Sequence, residues 1–431
     1  MNDEIYSFYI KFAQKRFLGA IIVLAKVINR ERIRPNMKKI LHTPEGVRDI
    51  YNEEYEKKVI LENELCQVLK NYGYHSIQTP TFEFFDIFGK EIGTTPSNEL
   101  YKFFDREGNT LVLRPDMTPS IARAVAKYFM DEDMPIRLSY IGNTFINNSS
   151  YQGRLKESTQ LGAELIGDAT VQADAEILAM VVESLKAAGL KDFQIGVGHA
   201  NYFQGLLEAA QINEEDAESL KTLILNKNFF GVEEYVDKLA LSEDLKKLFS
   251  LLGNLDASIN ELKDASTLAK PYPLIAKALD NLIRLSELLE LYDINRYVSM
   301  ELGIVSTYQY YTGIIFAGYT FGSGEAVVKG GRYDKLLTYF GKEAASIGFT
   351  IVVDQLMAAL TRQKIDIPLS NNGMMVVYTL ENQEAAIQMA KALRMDGTPV
   401  ELLLFDATKT KDDYQAYAKR NRITSVTFLE D

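Results

Sequence analysis

The chain has 431 residues, one cysteine, three histidines and a formal net charge of −12. Length of this order supports two or three domains with an ample core, and the acidic balance argues against a surface built to attract phosphate backbones, hence against tight nucleic-acid binding. The single Cys66 excludes an intramolecular disulfide and a cysteine-cluster metal site, as suits a reducing cytoplasm, and His42, His75 and His199 lack the paired spacing of zinc ligands; neither metal nor cofactor is expected.

Residues 1–36 stand apart. The apolar run "FLGAIIVLAKVI" (17–28) follows a lysine and an arginine, yet it contains Lys26 and no small-residue cleavage site follows it. It covers only about half the roughly 20 residues of a membrane span. A loosely attached amphipathic helix is expected, with no membrane partner, and Met37 is a candidate start.

From Thr43 the apolar positions Val59, Leu61, Leu65, Val68 and Leu69 recur at helical spacing. Thr43 and Pro44 are read as helix-entry residues and Gly73 as the stop. "HSIQTPTFEFFDIF" then has strand character, and "YKFFDREGNTLVLRPD" predicts a hairpin turning at Glu107 to Asn109. A helix, "SIARAVAKYFM", precedes "PIRLSYIGNTFIN" and "STQLGAELIG", two alternating stretches expected to pair as antiparallel strands. After the strand "DFQIGVGH", residues 201 to about 292 turn almost continuously helical and read as an insertion. Strand character returns in "RYVSMELGIV", "YTGIIFAGYTF" and "SGEAVVKGGRYDKLLTYF", and "ASIGFTIVVDQLMAAL" reads as strand into helix. Beyond Pro368 the pattern becomes strand-helix-strand-helix-strand, a small α/β unit. The fold class is therefore α+β: an antiparallel-sheet core over 37–365, interrupted by helices, with an α/β domain at 366–431.

Seven stretches in this order resemble the catalytic core of class II aminoacyl-tRNA synthetases, histidyl-tRNA synthetase in particular: "TPEGVRDIYNEE", "YGYHSIQTPTFE", "LVLRPDMTPSIAR", "IGNTF", "QGRLKESTQLGAELIG", "YYTGIIF" and "GGRYDKLL". The likeness spans residues 43 to about 360, and the C-terminal unit resembles a shortened anticodon-binding domain. It implies a pocket for histidine. Asp116 stands where that family has a glutamate facing the amino group, with Thr118 beside it; Gln160 and Glu164 match two further histidine contacts, and Tyr311, adjoining Tyr310, matches a tyrosine near the imidazole. Carboxylates suit a cationic α-amino group, and a carboxylate with a hydroxyl suits an imidazole. Without the resemblance, Gln160 and Glu164 read as one solvated sheet face, the tyrosines as core or edge residues, and Asp116 as a helix cap.

The cations of adenylate chemistry are missing. Where the synthetase pattern has an arginine after phenylalanine and a glutamate two residues on, this chain has Ile146 and Asn148. Where it has arginine-glycine before the paired tyrosines, the chain has Ser306 and Thr307, with Gln309 for the following aspartate. Its closing glutamate-arginine is Asp354 and Gln355 here. The glycines that let ATP lie flat are Ile351 and Val353, expected to crowd that face. Arg114 and Arg154 remain but match none of the catalytic positions. Losing one transition-state cation commonly costs orders of magnitude in rate, so the sequence points to binding without catalysis.

That description resembles the family of ATP phosphoribosyltransferase regulatory subunits, which "LRPDMTPSIAR", with Asp-Met for the synthetase Glu-Gly, singles out. The resemblance implies a non-catalytic role in histidine biosynthesis and a hetero-oligomer, possibly a hetero-octamer, with a short catalytic chain. It further implies feedback by L-histidine and self-dimerisation through the core. Two other readings stay open at this level: an active histidyl-tRNA synthetase, and a stand-alone amino-acid sensor.

Overall fold

The computed structural model describes residues 41–89, 95–148, 155–305, 310–370 and 373–430. The expected N-terminal helix lies outside these residues, as do Arg154, Ser306, Thr307 and Gln309. Two compact units are distinguished, one holding Leu61–Ile365 with the stretch before Asn52, the other holding Asn52–Ile60 with Asp366–Asp431.

The first helix, α1 (Asn52–Asn71), starts eight residues later than Pro44 suggested. Pro44 instead closes a turn, its carbonyl accepting from Val47 N–H at 3.3 Å, and Gly46 has φ +84°, a left-handed conformation that ends helical continuity there. The C-terminal end follows expectation, with Gly73 at φ +81°.

The large sheet has eight strands in the order β1-β5-β6-β11-β10-β9-β7-β8. They are β1 (His75–Ser76), β5 (Ile136–Phe145), β6 (Glu157–Ile166), β7 (Phe193–His199), β8 (Val298–Met300), β9 (Ile314–Thr320), β10 (Val328–Arg332) and β11 (Ser346–Val352). The predicted β5 and β6 pair antiparallel over ten residues, with Tyr140 opposite Gly162 and Leu138 opposite Glu164. The strand expected from "RYVSMELGIV" is confined to Val298–Met300. A separate three-stranded sheet joins β2 (Phe82–Phe84), β3 (Lys102–Phe104) and β4 (Thr110–Leu113), and the expected hairpin links β3 to β4 with Gly108 at φ +86°.

Strand alternation gives the sheet two distinct faces. On one, α2 (Thr118–Tyr128) and the turn Leu336–Phe340 pack over Ile136, Leu138, Tyr140 and Ile166. On the other, α3 (Val171–Ala187) packs against β11, and Arg332 of β10 meets Asp174 of α3 at 2.6 Å with both side chains buried. Arg332 also donates to the carbonyls of Asp168 and Thr170.

Between β7 and β8 run six helices, α4 (Ala200–Ala209), α5 (Glu214–Leu225), α6 (Phe229–Asp237), α7 (Glu243–Ser250), α8 (Ile259–Leu268) and α9 (Pro273–Leu291). Side chains of Asn213, Asn228, Ser242 and Ser258 accept the first free backbone N–H groups of α5 to α8, which is why short helices start where they do. His199 does the same for α4 through Nδ1; burial lowers its pKa to about 4, with Arg332 adding to the effect, so it stays neutral.

After α10 (Val353–Gln363) the chain enters the second unit. There β12 (Met374–Tyr378) lies between β13 (Val400–Leu404) and β14 (Ser425–Leu429), all parallel. One face is covered by Ala386 and Ala390 of α11 (Gln383–Met395), the other by Tyr414 and Ala418 of α12 (Lys411–Arg420).

Candidate functional site

The junction between β4 and α2 sets one wall of a cleft. Arg114 is buried there, its Nε donating to the Asn143 carbonyl at 2.8 Å and its Nη1 to the carbonyls of Thr79 at 2.9 Å and Pro80 at 3.2 Å. This cation is spent on structure. Two residues on, Asp116 lines the cleft and accepts the Thr118 backbone N–H at 3.3 Å, while the cap position of α2 itself is Met117. Burial pushes its carboxyl up to about 6, against the pull of the Thr118 and Met117 N–H groups.

Glu164, 1% exposed, projects from β6 onto the same wall. Its Oε1 accepts from the Thr118 hydroxyl at 2.9 Å and its Oε2 from the Tyr333 hydroxyl. Burial pushes its carboxyl up to about 8, those two hydroxyls oppose the shift, and nearby Asp116 adds to it. Gly348 lies opposite on β11, where a Cβ would come within 1.6 Å of Oε2. Only a glycine fits beside this carboxylate. Tyr140 crosses Gly162 in the same way and donates to the Phe349 carbonyl at 3.3 Å.

Gln160 sits four residues from Glu164 along β6, on the same face. Its Oε1 is buried and takes no hydrogen bond among the described residues. Tyr310 and Tyr311 close the end of the cleft with ring centroids 4.7 Å apart; Tyr310 also meets Tyr333 edge-on at 5.8 Å, and the Tyr311 ring lies on Gly331. Asp116, Thr118, Gln160, Glu164, Tyr310 and Tyr311 thus line one cleft of about 1070 Å³. Two further contributors, Tyr140 and Tyr333, had no role assigned from sequence. Their signal was present: Tyr140 alternates onto the sheet face that carries Glu164, and Tyr333 lies in the "GGRYD" stretch.

The rim includes positions where the synthetase pattern has charged residues: arginines at 146 and 355 and a glutamate at 148. Ile146, Asn148 and Gln355 all line the cleft, while Asp354 also accepts the Thr159 backbone N–H at 2.7 Å. The crowding expected of Ile351 and Val353 is not found. Both are fully buried and neither lines the cleft, whose β11 contributors are Gly348, Phe349, Thr350 and Val352. Alternation along β11 turns the Ile351 side chain to the face opposite Thr350 and Val352, and Val353 is already the first residue of α10.

The histidyl-tRNA synthetase family model matches residues 46–356. The chain is 40% identical over 365 residues to the ATP phosphoribosyltransferase regulatory subunit of Acetivibrio thermocellus, covering 84% of this chain and 86% of that protein. The same-named protein of Ruminiclostridium cellulolyticum is 38% identical over 395 residues, covering 91% and 93%. The chain belongs to the family of ATP phosphoribosyltransferase regulatory subunits. A crystal structure of an ATP phosphoribosyltransferase regulatory subunit/histidyl-tRNA synthetase from Bacillus halodurans superposes with a TM-score of 0.80 at 33% identity, covering 90% of this chain and 98% of that one.

As a member of that family the protein is a regulatory subunit with a synthetase-like core, and not itself an enzyme. The cleft geometry has the corresponding character. It offers carboxylates, an amide oxygen and phenolic hydroxyls that accept hydrogen bonds, and uncharged side chains at the rim positions 146, 148 and 355. The acceptors suit a small cationic or hydrogen-bond-donating ligand, and positions 146 and 355 bring no charge to a phosphoryl transition state. No helix among the described residues is long and apolar enough to cross a membrane.

Proposed function

We propose that this regulatory subunit joins a short catalytic ATP phosphoribosyltransferase chain in a cytoplasmic hetero-oligomer, supports catalysis by that partner, and carries feedback by free L-histidine bound in the cleft. The core pairs with a second copy of itself in this assembly. The observation that carries the reading is the contrast within one cleft. Acceptors fit for an amino acid are present at Asp116, Gln160 and Glu164, while the rim positions tied to adenylate chemistry hold Ile146, Asn148 and Gln355.

Each acceptor has a physical task. Asp116 takes the α-ammonium, Glu164 and Tyr311 take the imidazole, and the buried Gln160 Oε1 gains a donor in place of none. Feedback then requires histidine to bind the low-activity state of the complex more tightly than the active one, since equal affinity shifts nothing. A tenfold preference corresponds to about 1.4 kcal/mol of coupling.

The test is phosphoribosyl-ATP formation by the short catalytic chain, with and without this subunit, followed by histidine titration. Stimulation that histidine reverses is expected. A catalytic chain indifferent to this subunit would overturn the proposal, and stimulation insensitive to histidine would remove the feedback half of it.

A further inference from the structure

The acceptor-rich cleft leaves one end of an α-amino acid unaccounted for. A free amino acid carries a carboxylate, and the groups assigned so far, carboxyls, an amide and hydroxyls, include no cation. Burying a carboxylate among them without a cation carries a desolvation penalty that neutral donors offset only in part.

Two cations line the cleft within the described residues, Lys329 and Arg362. Arg362 is committed, its Nη1 donating to the Gly322 carbonyl while its stem packs on Gly322. Lys329 is exposed, and its side chain makes no hydrogen bond or ion pair among the described residues. Its position on β10 is set by register. It pairs with Thr350 on one side and Ala317 on the other, and it shares its face with Gly331, whose surface carries the Tyr311 ring. Two residues along a strand span about 7 Å, comparable with the reach from ring to carboxylate in one amino acid, and the four-carbon lysine stem adjusts the remainder.

Building on the proposed histidine site, we propose that Lys329 is the counter-ion for the ligand carboxylate and so sets the selectivity of the cleft for an amino acid over its decarboxylated amine. Arg114 cannot serve, being consumed by the carbonyls of Asn143, Thr79 and Pro80.

Calorimetric titration of the full chain, alone and with its catalytic partner, with histidine and with histamine reads this directly. Histamine keeps the ring and the amine and lacks the carboxylate. The unaltered chain should bind histidine at least about tenfold tighter than histamine, a margin a charge-assisted contact can supply. Lys329→Met should lower histidine affinity about tenfold while leaving histamine unchanged, and Lys329→Arg should restore most of the difference. Unchanged histamine binding shows that the cleft of the Met variant is intact. Equal histidine affinity in the Met variant and the unaltered chain overturns the Lys329 assignment alone. Absence of histidine binding to the unaltered chain in both settings overturns the histidine-site reading beneath it.

Discussion

The hydroxyl of Tyr333 donates to the carboxylate of Glu164 across the intervening strand β11, and both side chains are almost fully buried. The contact is possible because Gly348, between them on β11, has no side chain to fill the gap. A hydroxyl can donate or accept, so the contact persists whether Glu164 is ionised or neutral. The carboxylate is therefore held in place before any ligand arrives.

Protonation of Glu164 couples this arrangement to pH. Its carboxyl is raised to about 8 and that of Asp116 to about 6, so both favour the folded chain fully below the ordinary carboxylate range and less as pH rises. His199 runs the other way: its lowered pKa gives stability present above the ordinary imidazole value and lost on acidification towards 4. Between pH 6.5 and 8.5 Glu164 dominates. The urea midpoint followed by circular dichroism should fall across that window, and Glu164→Gln should flatten the fall. An unchanged slope in the variant would rule out Glu164 as its source.

Gly348→Ala places a methyl where the Glu164 carboxylate sits, 2.7 Å from the Ala163 carbonyl as well. Overpacking of this kind costs about 1–3 kcal/mol. The displaced carboxylate should also lower histidine affinity by about tenfold. Denaturation and calorimetry on the same preparation check both, and full affinity in the variant would show that Glu164 does not contact the ligand.

Removing one partner of the buried Arg332–Asp174 pair should cost up to about 3–5 kcal/mol, most for loss of Arg332, since without Asp174 the guanidinium still keeps Asp334 at 3.2 Å. Arg332→Met and Asp174→Leu are each expected to lower stability strongly, and the double variant less than their sum. Additive losses would mean that the pair is not coupled.

Histidine-dependent exchange of pyrophosphate into ATP should be absent with saturating ATP and magnesium. Ile146 and Gln355 supply no charge to the reacting phosphate. Exchange above background would return the chain to the synthetases.

Much of the scaffold was legible in the sequence because its signals are local. The β5–β6 pair, the β3–β4 hairpin, the helical insertion and the final α/β alternation all follow from periodicity and turn residues. What escaped depends on pairing. The face occupied by Ile351 is settled by register with Leu161 and Val328, and the start of α1 is displaced by the left-handed Gly46. Tyr140 and Tyr333 lacked a role for the same reason, since their value at the cleft exists only once β5, β6, β10 and β11 are side by side. The six cleft residues named from sequence came from ordered motifs, and spacing alone read them equally well as a solvated face or a cap.

The groups that hold the cleft in shape lie deep, in Glu164, Tyr333, Arg332 and the glycines against which they pack, whereas Ile146, Asn148 and Gln355 stand partly exposed at the rim. Substitution at the rim therefore meets little resistance from folding. A protein of this architecture can exchange bond-making for sensing through changes that a stability screen would not register, keeping the same receptor while the reaction moves to another chain.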